Sequence, residues 1–176
     1  MKNSFITWNL SNFKFKEVST MQYRMKKHPL SEEQITEVLE KTPVGNLATI
    51  NENGYPYVLP VHFVYHDHKI FIHGLPRGQK ISNILANEKV CFETFIMKGL
   101  ILDDAPCDVN TEYESVVIMG KASIIRDDVD LKIDILNKIV TKYTPHLEGI
   151  DFPEKALRGT SIIEIEIEEC TGKYYK

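Results

Sequence analysis

The sequence is poor in cysteine and has no long hydrophobic run. Its 176 residues include three cysteines, Cys91, Cys107 and Cys170, an odd number at wide spacing. That pattern favours reduced thiols in a cytosol over a disulfide framework or a zinc site. The N-terminus lacks the uninterrupted apolar stretch of a signal peptide or a membrane span. We therefore expect a cytoplasmic protein with no membrane partner.

Positive charge and the motifs of several enzyme classes are also lacking. The chain carries 21 Lys and Arg against 25 Asp and Glu, a net charge of −4, so no basic field favours nucleic acid as a partner. It has no Gly-x-Ser-x-Gly elbow, no P-loop and no Gly-x-Gly-x-x-Gly. Cys91 falls in the middle of a predicted strand, which indicates an inert core thiol rather than a nucleophile.

What the sequence does contain is a series of strand-like runs separated by turn signals such as Asn51-Glu52-Asn53-Gly54. The predicted strands cover residues 44–50, 55–65, 69–73, 90–96, 113–125 and 161–168, with a bulge expected at Gly120. Helices are predicted from the Ser31–Gln34 capping box to Pro43, from Gln79 to Asn87, and after Asp127 or Asp128. Hairpin-linked strands do not form βαβ units, and a closed sheet has no exposed edges. The pattern therefore predicts a mainly β fold, a β-barrel with flanking helices.

The chain is expected to form one domain over residues 29–176, preceded by an arm over residues 1–28. The arm carries aromatic and apolar side chains, namely Phe5, Ile6, Trp8, Phe13 and Phe15. These side chains make it too apolar for a freely solvated tail. We expect the arm to pack on the body of the protein or on a partner subunit.

Four histidines, His62, His66, His68 and His73, fall within one predicted hairpin. No carboxylate stands beside them at the spacing of a metal motif, so we expect solvated or hydrogen-bonded imidazoles and no metal site. His73 differs from the others because it ends a strand beside a glycine-bearing loop. It either forms a hydrogen bond to a cofactor or substrate, or caps the strand.

The loop after His73 leads into a helix that has Lys80 in its first turn. A helix N-terminus offers unpaired N–H groups and a partial positive charge, so a lysine there opposes the helix dipole unless an anion is bound. A phosphate would stabilise Lys80, and with it Arg77, through charge-assisted hydrogen bonds. The alternative is that both are solvated loop cations.

Five segments stand in the order of a known family. They are VGNLATI (44–50), NGYPYVLPV (53–61), KIFIHG (69–74), GQK (78–80) and NEKVCFE (87–93). Together they resemble the pyridoxamine-phosphate-oxidase-like FMN-binding split barrels, and within them the nitroimidazole-resistance (Nim-type) reductases. YESVVIMGKA (113–122) is similar to the fifth strand of that branch. The resemblance covers about residues 25–173.

The resemblance implies a six-stranded antiparallel split barrel that forms a homodimer with FMN at the subunit interface. FAD is possible, because the same phosphate contacts would serve it. The cofactor-binding residues it implies are Leu47, Ala48 and Thr49 along the flavin, Pro60 and Val61 through backbone groups at the ring edge, His73 facing the ring, Lys80 on the phosphate and Ser115 with its hydroxyl. His73 is also the candidate catalytic residue.

The function implied is that of an FMN-dependent oxidoreductase. A reduced nicotinamide would supply the electrons, and a small acceptor such as a 5-nitroimidazole would receive them. One alternative is a non-enzymatic haem- or flavin-binding split barrel. Another is pyridoxamine-phosphate oxidation, which is disfavoured because the sequence lacks the Arg and His set that grips pyridoxal phosphate in the vitamin oxidases.

Overall fold

The structure is a computed structural model and describes residues 14–15 and 26–176. The predicted arm lies largely outside these residues and stays a prediction. The strands are β1 (Lys14–Phe15), β2 (Gly45–Ile50), β3 (Pro56–Val61), β4 (Val64–His66), β5 (Lys69–Gly74), β6 (Lys89–Ile101), β7 (Asn110–Ile125) and β8 (Ser161–Tyr175). The α-helices are α1 (Glu32–Lys41), α2 (Gln79–Ala86), α3 (Val129–Tyr143) and α4 (Glu154–Arg158). None of the helices described is long and apolar enough to span a bilayer.

The strands form one sheet in the order β3-β2-β6-β7-β8-β5-β4. Every neighbouring pair on this path is antiparallel, and β1 adds a short parallel pairing to β8. Strands β3 and β4 stand at opposite ends of the path, although only His62 and Phe63 separate them in the chain. The sheet must therefore curl so that these two strands approach each other at His62 and Phe63, although no strand pairing closes it among the described residues. This confirms the mainly β fold with flanking helices and the split-barrel architecture.

Two features of the sheet differ from the expected six strands. The predicted strand over residues 55–65 is divided into β3 and β4, and β1 is added, which gives eight strands. The division occurs because Phe63 leaves the strand ladder. Its N–H donates to the Tyr143 hydroxyl at 2.9 Å, and the same hydroxyl lies 2.9 Å from the Phe63 carbonyl. A side chain of α3 thus replaces the neighbouring strand at the point where the chain crosses from one sheet edge to the other.

The remaining strands match the prediction in place; β2 is one residue shorter than predicted, and the others extend further. Strand β6 continues to Ile101 and β8 to Tyr175, where the regular alternation of apolar residues has already ended. The predicted bulge is present as a register shift between Met119 and Gly120. A Cβ at Gly120 would lie 2.2 Å from the Glu166 carbonyl oxygen, so the bulge needs a residue without a side chain.

Helix α1 begins and ends as its sequence predicts. The Ser31 hydroxyl accepts from the Gln34 N–H, and the Gln34 side chain accepts from the Ser31 N–H, which completes a capping box. Pro43 follows the other end and has no N–H to donate to the Leu39 carbonyl. The Lys142 ammonium of α3 donates to that carbonyl instead, at 3.0 Å. A neighbouring helix therefore completes the C-terminus of α1.

Two hydrophobic clusters hold the layers together. The larger one fills the barrel and includes fully buried Leu47, Phe63, Phe92 and Ile118. The smaller one lies where α3 covers the outside of the sheet, and consists of Val64, Phe71, Ile135, Ile139 and Ile162. None of the helices described here covers the outer face of the other strands, and Val58, Phe95, Met97 and Met119 are exposed on it.

Candidate functional site

The start of helix α2 has the features of an anion site. Its N-cap is Gly78, whose φ of +128° lies in the region that favours glycine, and no side chain of the described residues forms a capping hydrogen bond there. The N–H groups of the first turn are therefore left without the usual side-chain acceptor. Such groups, together with the helix dipole, favour a negatively charged ligand.

Lys80 extends from the first turn of α2 towards the end of strand β5. A Cβ built at Gly74 would lie 3.2 Å from the Lys80 Nζ, so the absence of a side chain at Gly74 makes room for the ammonium. Lys80 is half-buried, and burial lowers its pKa. Within residues 26–176 no carboxylate lies within 4.0 Å of this ammonium. A half-buried cation is thus held beside the helix start without a counter-ion.

His73 lies one residue before Gly74 and has an unsatisfied ring nitrogen. Its Nδ1 is buried and has no hydrogen-bond partner among the described residues. The pKa of His73 is lowered, first by burial and then by the nearby His62 and Lys80. The imidazole is therefore neutral at pH 7, with a ring nitrogen ready to donate to or accept from a ligand.

His62 is a neighbour of His73 that the sequence did not single out. Its ring stacks on Tyr143 of α3 at a centroid distance of 4.5 Å and an interplanar angle of 25°. The Tyr143 hydroxyl is itself fixed, since it donates to the Pro43 carbonyl at 2.8 Å and contacts the Phe63 backbone. Helix α3 thereby holds His62 in place. The sequence did not indicate this position, because it predicts one continuous strand where the structure has β3 and β4 with His62 between them.

Behind the helix start, a buried amide joins α2 to the hairpin of β2 and β3. Asn83 donates to the Thr49 hydroxyl at 2.9 Å and to the Asn51 side chain at 2.8 Å. The Gln79 side-chain amide in turn donates to the side-chain oxygen of Asn83, Oδ1, at 2.8 Å. Helical periodicity gave no signal for this network, because Asn83 lies two residues after Ile81 and therefore on a different side of α2 from it. The network fixes the start of α2, and hence Lys80, relative to β2.

The predicted flavin-lining residues of β2 and β3 point in different directions. The side chains of Leu47, Thr49 and Val61 are buried in the barrel, and only their backbone groups remain for a ligand. Ala48 is half-buried and Pro60 is exposed, both on the outer face of the sheet. This alternation follows from the two-residue period of a strand.

Ser115 lies far from Lys80 within one chain. It is buried on β7 and stands opposite Lys173 of β8, whereas Gly74, beside Lys80, stands opposite Ser161. The twelve residues from Ser161 to Lys173 correspond to about 40 Å of extended strand. One subunit therefore does not bring Ser115 and Lys80 to the same phosphate.

Next to Ser115 is a separate cavity of about 250 Å³. Its walls include the rings of Tyr113, Tyr174 and Tyr175, together with His28 and Lys173. The Lys173 ammonium lies 5.5 Å from the centre of the Tyr113 ring, and the His28 ring makes an edge contact with Tyr174 at 5.3 Å. The end of β8, beyond the predicted strand, thus contributes a cationic and aromatic pocket that sequence reasoning missed.

Residues 31–174 match the family model described as pyridoxamine 5'-phosphate oxidase. The chain belongs to this family. A curated relative, 5a,11a-dehydrotetracycline/5a,11a-dehydrooxytetracycline reductase of Streptomyces rimosus, is 31% identical over 101 residues, which cover 55% of the chain. The match spans 65% of that relative's length, just under two thirds. The family name is that of an oxidase and the relative is a reductase, so both are redox enzymes.

Two solved structures share the fold. One, from Bacteroides thetaiotaomicron, has a proposed role in 5-nitroimidazole antibiotic resistance. It superposes with a TM-score of 0.71 at 24% identity, over 82% of this chain and 84% of its own. The other is the flavocytochrome Anf3 from Azotobacter vinelandii, with a TM-score of 0.78 at 22% identity, over 90% of this chain and 74% of its own. These likenesses confirm the split-barrel fold.

Proposed function

We propose that the protein is a flavin-dependent oxidoreductase that binds FMN, with its phosphate at Lys80 and the first turn of α2. One observation carries the proposal: among the described residues, a half-buried cation without a counter-ion and a buried histidine nitrogen without a partner lie together at an uncapped helix start. In a member of a family named for a redox enzyme, a bound flavin would supply a phosphate to the lysine and a hydrogen-bond partner to the histidine.

The residues present fit a phosphate ligand. The Lys80 ammonium and the free N–H groups of α2 would donate to its oxygens, and the missing side chain at Gly74 leaves space for the ammonium. A bound flavin supplies the redox chemistry, while the protein binds and orients it. Neutral His73 would form a hydrogen bond through Nδ1 to the ring region or to the acceptor, and would hold a proton close to the reacting atoms.

The proposed assembly is a homodimer with the flavin between subunits. The separation of Ser115 from Lys80 supports it, since a ligand that contacts both would need them from different chains. The exposed apolar side chains on the outer face, Val58, Phe95, Met97 and Met119, also support burial against a second copy.

We further propose that a reduced nicotinamide supplies electrons and that the acceptor is small and aromatic, such as a 5-nitroimidazole. The names of two relatives support the choice of acceptor, since one is a reductase of dehydrotetracyclines and the other has a proposed role in 5-nitroimidazole resistance. The tyrosine-lined cavity beside Lys173 has the size and the ring surfaces for such an acceptor.

The decisive experiment compares the affinity of FMN with that of riboflavin in Lys80→Met and in a matched control, Lys89→Met, which alters an exposed lysine. Loss of one charge-assisted contact typically costs about 1.5–3 kcal/mol, or roughly ten- to a hundredfold in affinity. Lys80→Met should weaken FMN by that factor and leave riboflavin unchanged. An equal loss for both ligands would refute the phosphate assignment.

The role of His73 is tested by His73→Ala, with His66→Ala as the exposed control. We expect His73→Ala to reduce turnover of a 5-nitroimidazole by reduced nicotinamide, and His66→Ala to leave it unchanged. Full flavin content together with unchanged turnover in His73→Ala would remove the proposed role.

A second candidate is a non-enzymatic carrier of haem or flavin, favoured by the likeness to a flavocytochrome. An absorption spectrum of the purified protein distinguishes the two. A flavin spectrum bleached by reduced nicotinamide supports the enzyme, and a Soret band supports haem. Mass spectrometry of the released ligand separates FMN from FAD. We expect the protein not to convert pyridoxamine phosphate to pyridoxal phosphate.

A further inference from the structure

A cavity of about 470 Å³ lies between α1, β4 and α3 and contains none of the residues assigned to the flavin. Its titratable and polar lining comes from three elements. Helix α3 contributes Lys138, Thr141 and Lys142, β4 contributes Tyr65 and His66, and α1 contributes Glu40. The cavity is open to solvent on one side, so small molecules can reach the side chains that line it.

The Lys142 ammonium in this cavity has only neutral partners. It donates to the Leu39 carbonyl at 3.0 Å and lies 3.8 Å from the centre of the Phe63 ring. Within the described ranges no carboxylate comes within 4.0 Å of it. By contrast, Lys138 in the same cavity pairs with Asp134 at 3.5 Å.

Burial lowers the pKa of Lys142 to about 8, with the more distant Glu40 acting weakly in the other direction. At pH 7.5 a pKa of about 8 leaves about a quarter of the amine neutral, against about one part in a thousand for an ordinary lysine. The neutral amine needs only one N–H for the Leu39 carbonyl. Its lone pair is therefore available for attack on an electrophile in the cavity.

We propose that Lys142 is an acylation site, modified by small acyl phosphates that enter the cavity between α1, β4 and α3. The Lys138 ammonium in the lining attracts the anionic donor, and Lys142 reacts as the neutral amine. The Lys142 Nζ attacks the acyl carbonyl carbon and the N–C bond forms. The bond from that carbon to the phosphate oxygen breaks, and inorganic phosphate leaves with the electron pair. The nitrogen releases its extra proton to water, so the products are an ε-amide and inorganic phosphate.

The fold accommodates the modified side chain. An ε-amide keeps one N–H, which continues to donate to the Leu39 carbonyl, and the acyl group occupies the cavity. What is lost is the positive charge over the Phe63 ring. Lys132 provides a matched comparison on the same helix, because its ammonium also donates to a main-chain carbonyl, that of Leu157, at 3.0 Å. Lys132 is only 4% exposed and lines none of the cavities described here.

The test treats the full-length protein with acetyl phosphate at pH 7.5 and measures the initial acetylation rate of each lysine by peptide mass spectrometry. The same chain unfolded in guanidinium chloride is the control. Nucleophilicity falls with pKa, as it does for thiols, and offsets part of the gain in neutral amine. We therefore expect Lys142 to react about tenfold faster in the folded than in the unfolded chain, and faster than Lys138 or Lys132 in the folded chain.

A variant that fills the cavity gives a second test. Thr141→Trp places an indole at the cavity wall and should slow acetylation of Lys142 at least fivefold without changing the rate at exposed Lys89. The proposal is overturned if Lys142 reacts no faster in the folded than in the unfolded chain. It is also overturned if Lys132 reacts as fast as Lys142, since labelling would then occur through global unfolding.

Discussion

Replacement of Lys142 by methionine tests how a lysine completes the end of a neighbouring helix. The Leu39 carbonyl would ordinarily accept from residue 43, but Pro43 has no N–H, and Lys142 supplies the hydrogen bond instead. Methionine has a similar length and packs well in apolar surroundings, but it cannot donate. Lys142→Met therefore removes one donor and one half-buried charge.

At neutral pH, loss of the hydrogen-bond donor lowers the free energy of unfolding, whereas removal of the half-buried charge raises it. An unpaired carbonyl costs about 1–3 kcal/mol, and the loss of the cation over Phe63 costs about 0.5–2 kcal/mol. Removal of a half-buried charge is favourable. The fall in pKa from 10.5 to about 8 corresponds to about 3 kcal/mol, which solvent in the open cavity reduces to about 1.5–3 kcal/mol. We expect the free energy of unfolding of Lys142→Met at pH 7 to lie within about 2 kcal/mol of the wild type.

The pH dependence gives the sharper prediction. Between pH 8 and 10.5 the folded wild type has released a proton that the unfolded chain still binds at Lys142. The free energy of unfolding therefore rises with pH in this window, and the variant lacks that rise. Between pH 7 and pH 10 the free energy of unfolding of the wild type should therefore rise by about 1.5–3 kcal/mol relative to that of Lys142→Met.

The assay is urea denaturation of both proteins at pH 7 and at pH 10. At each pH the free energy of unfolding of the variant is subtracted from that of the wild type. Comparing this value at pH 7 and pH 10 removes the contribution of every titrating group that the two proteins share. Lys138→Met, which alters an exposed ion pair of the same helix, is the control and should show little effect at either pH. An equal stability difference between wild type and Lys142→Met at both pH values would refute the reasoning.

Two further predictions concern the sheet and the polar network behind α2. Gly120→Ala places a Cβ 2.2 Å from the Glu166 carbonyl oxygen and should destabilise the protein by about 1–3 kcal/mol. Gly99→Ala, which meets nothing within 4 Å, should stay near the wild type, and equal thermal shifts for the two variants would contradict the clash. Asn83→Ala leaves the buried Thr49 hydroxyl without its main partner and should cost about 1–3 kcal/mol in a urea titration. Unchanged stability of Asn83→Ala would show that water replaces the amide.

Local signals in the sequence were sufficient for the elements that depend on neighbouring residues. The capping box of Ser31 and Gln34, the Asp128 N-cap of α3 and the turn at Asn51 each involve atoms a few residues apart. The position of Lys80 in the first turn of α2 followed from the glycine-bearing loop before it.

The candidate site depended more on contacts between distant segments. No local pattern indicated that Tyr143 would bond the Phe63 backbone and divide a predicted strand in two. His62 was one of the four histidines named from the sequence, but its contact with Tyr143 and its position near His73 were not predicted. Likewise, the sequence comparison assigned Ser115 and Lys80 to the same ligand. In the structure they lie near opposite ends of β8, twelve residues of extended chain apart.

The sequence by itself determined the order and type of most elements, though not the division of β3 from β4 or the short elements β1 and α4, because hydrophobic period, caps and turns act over a few residues. It also determined that a lysine begins the helix after β5. Only the tertiary structure decided that, within residues 26–176, this lysine has no counter-ion and the His73 nitrogen has no partner, and that Lys142 completes the end of α1. These properties depend on which groups of distant segments share a low-dielectric space, and that arrangement is set by packing of the whole sheet against its helices.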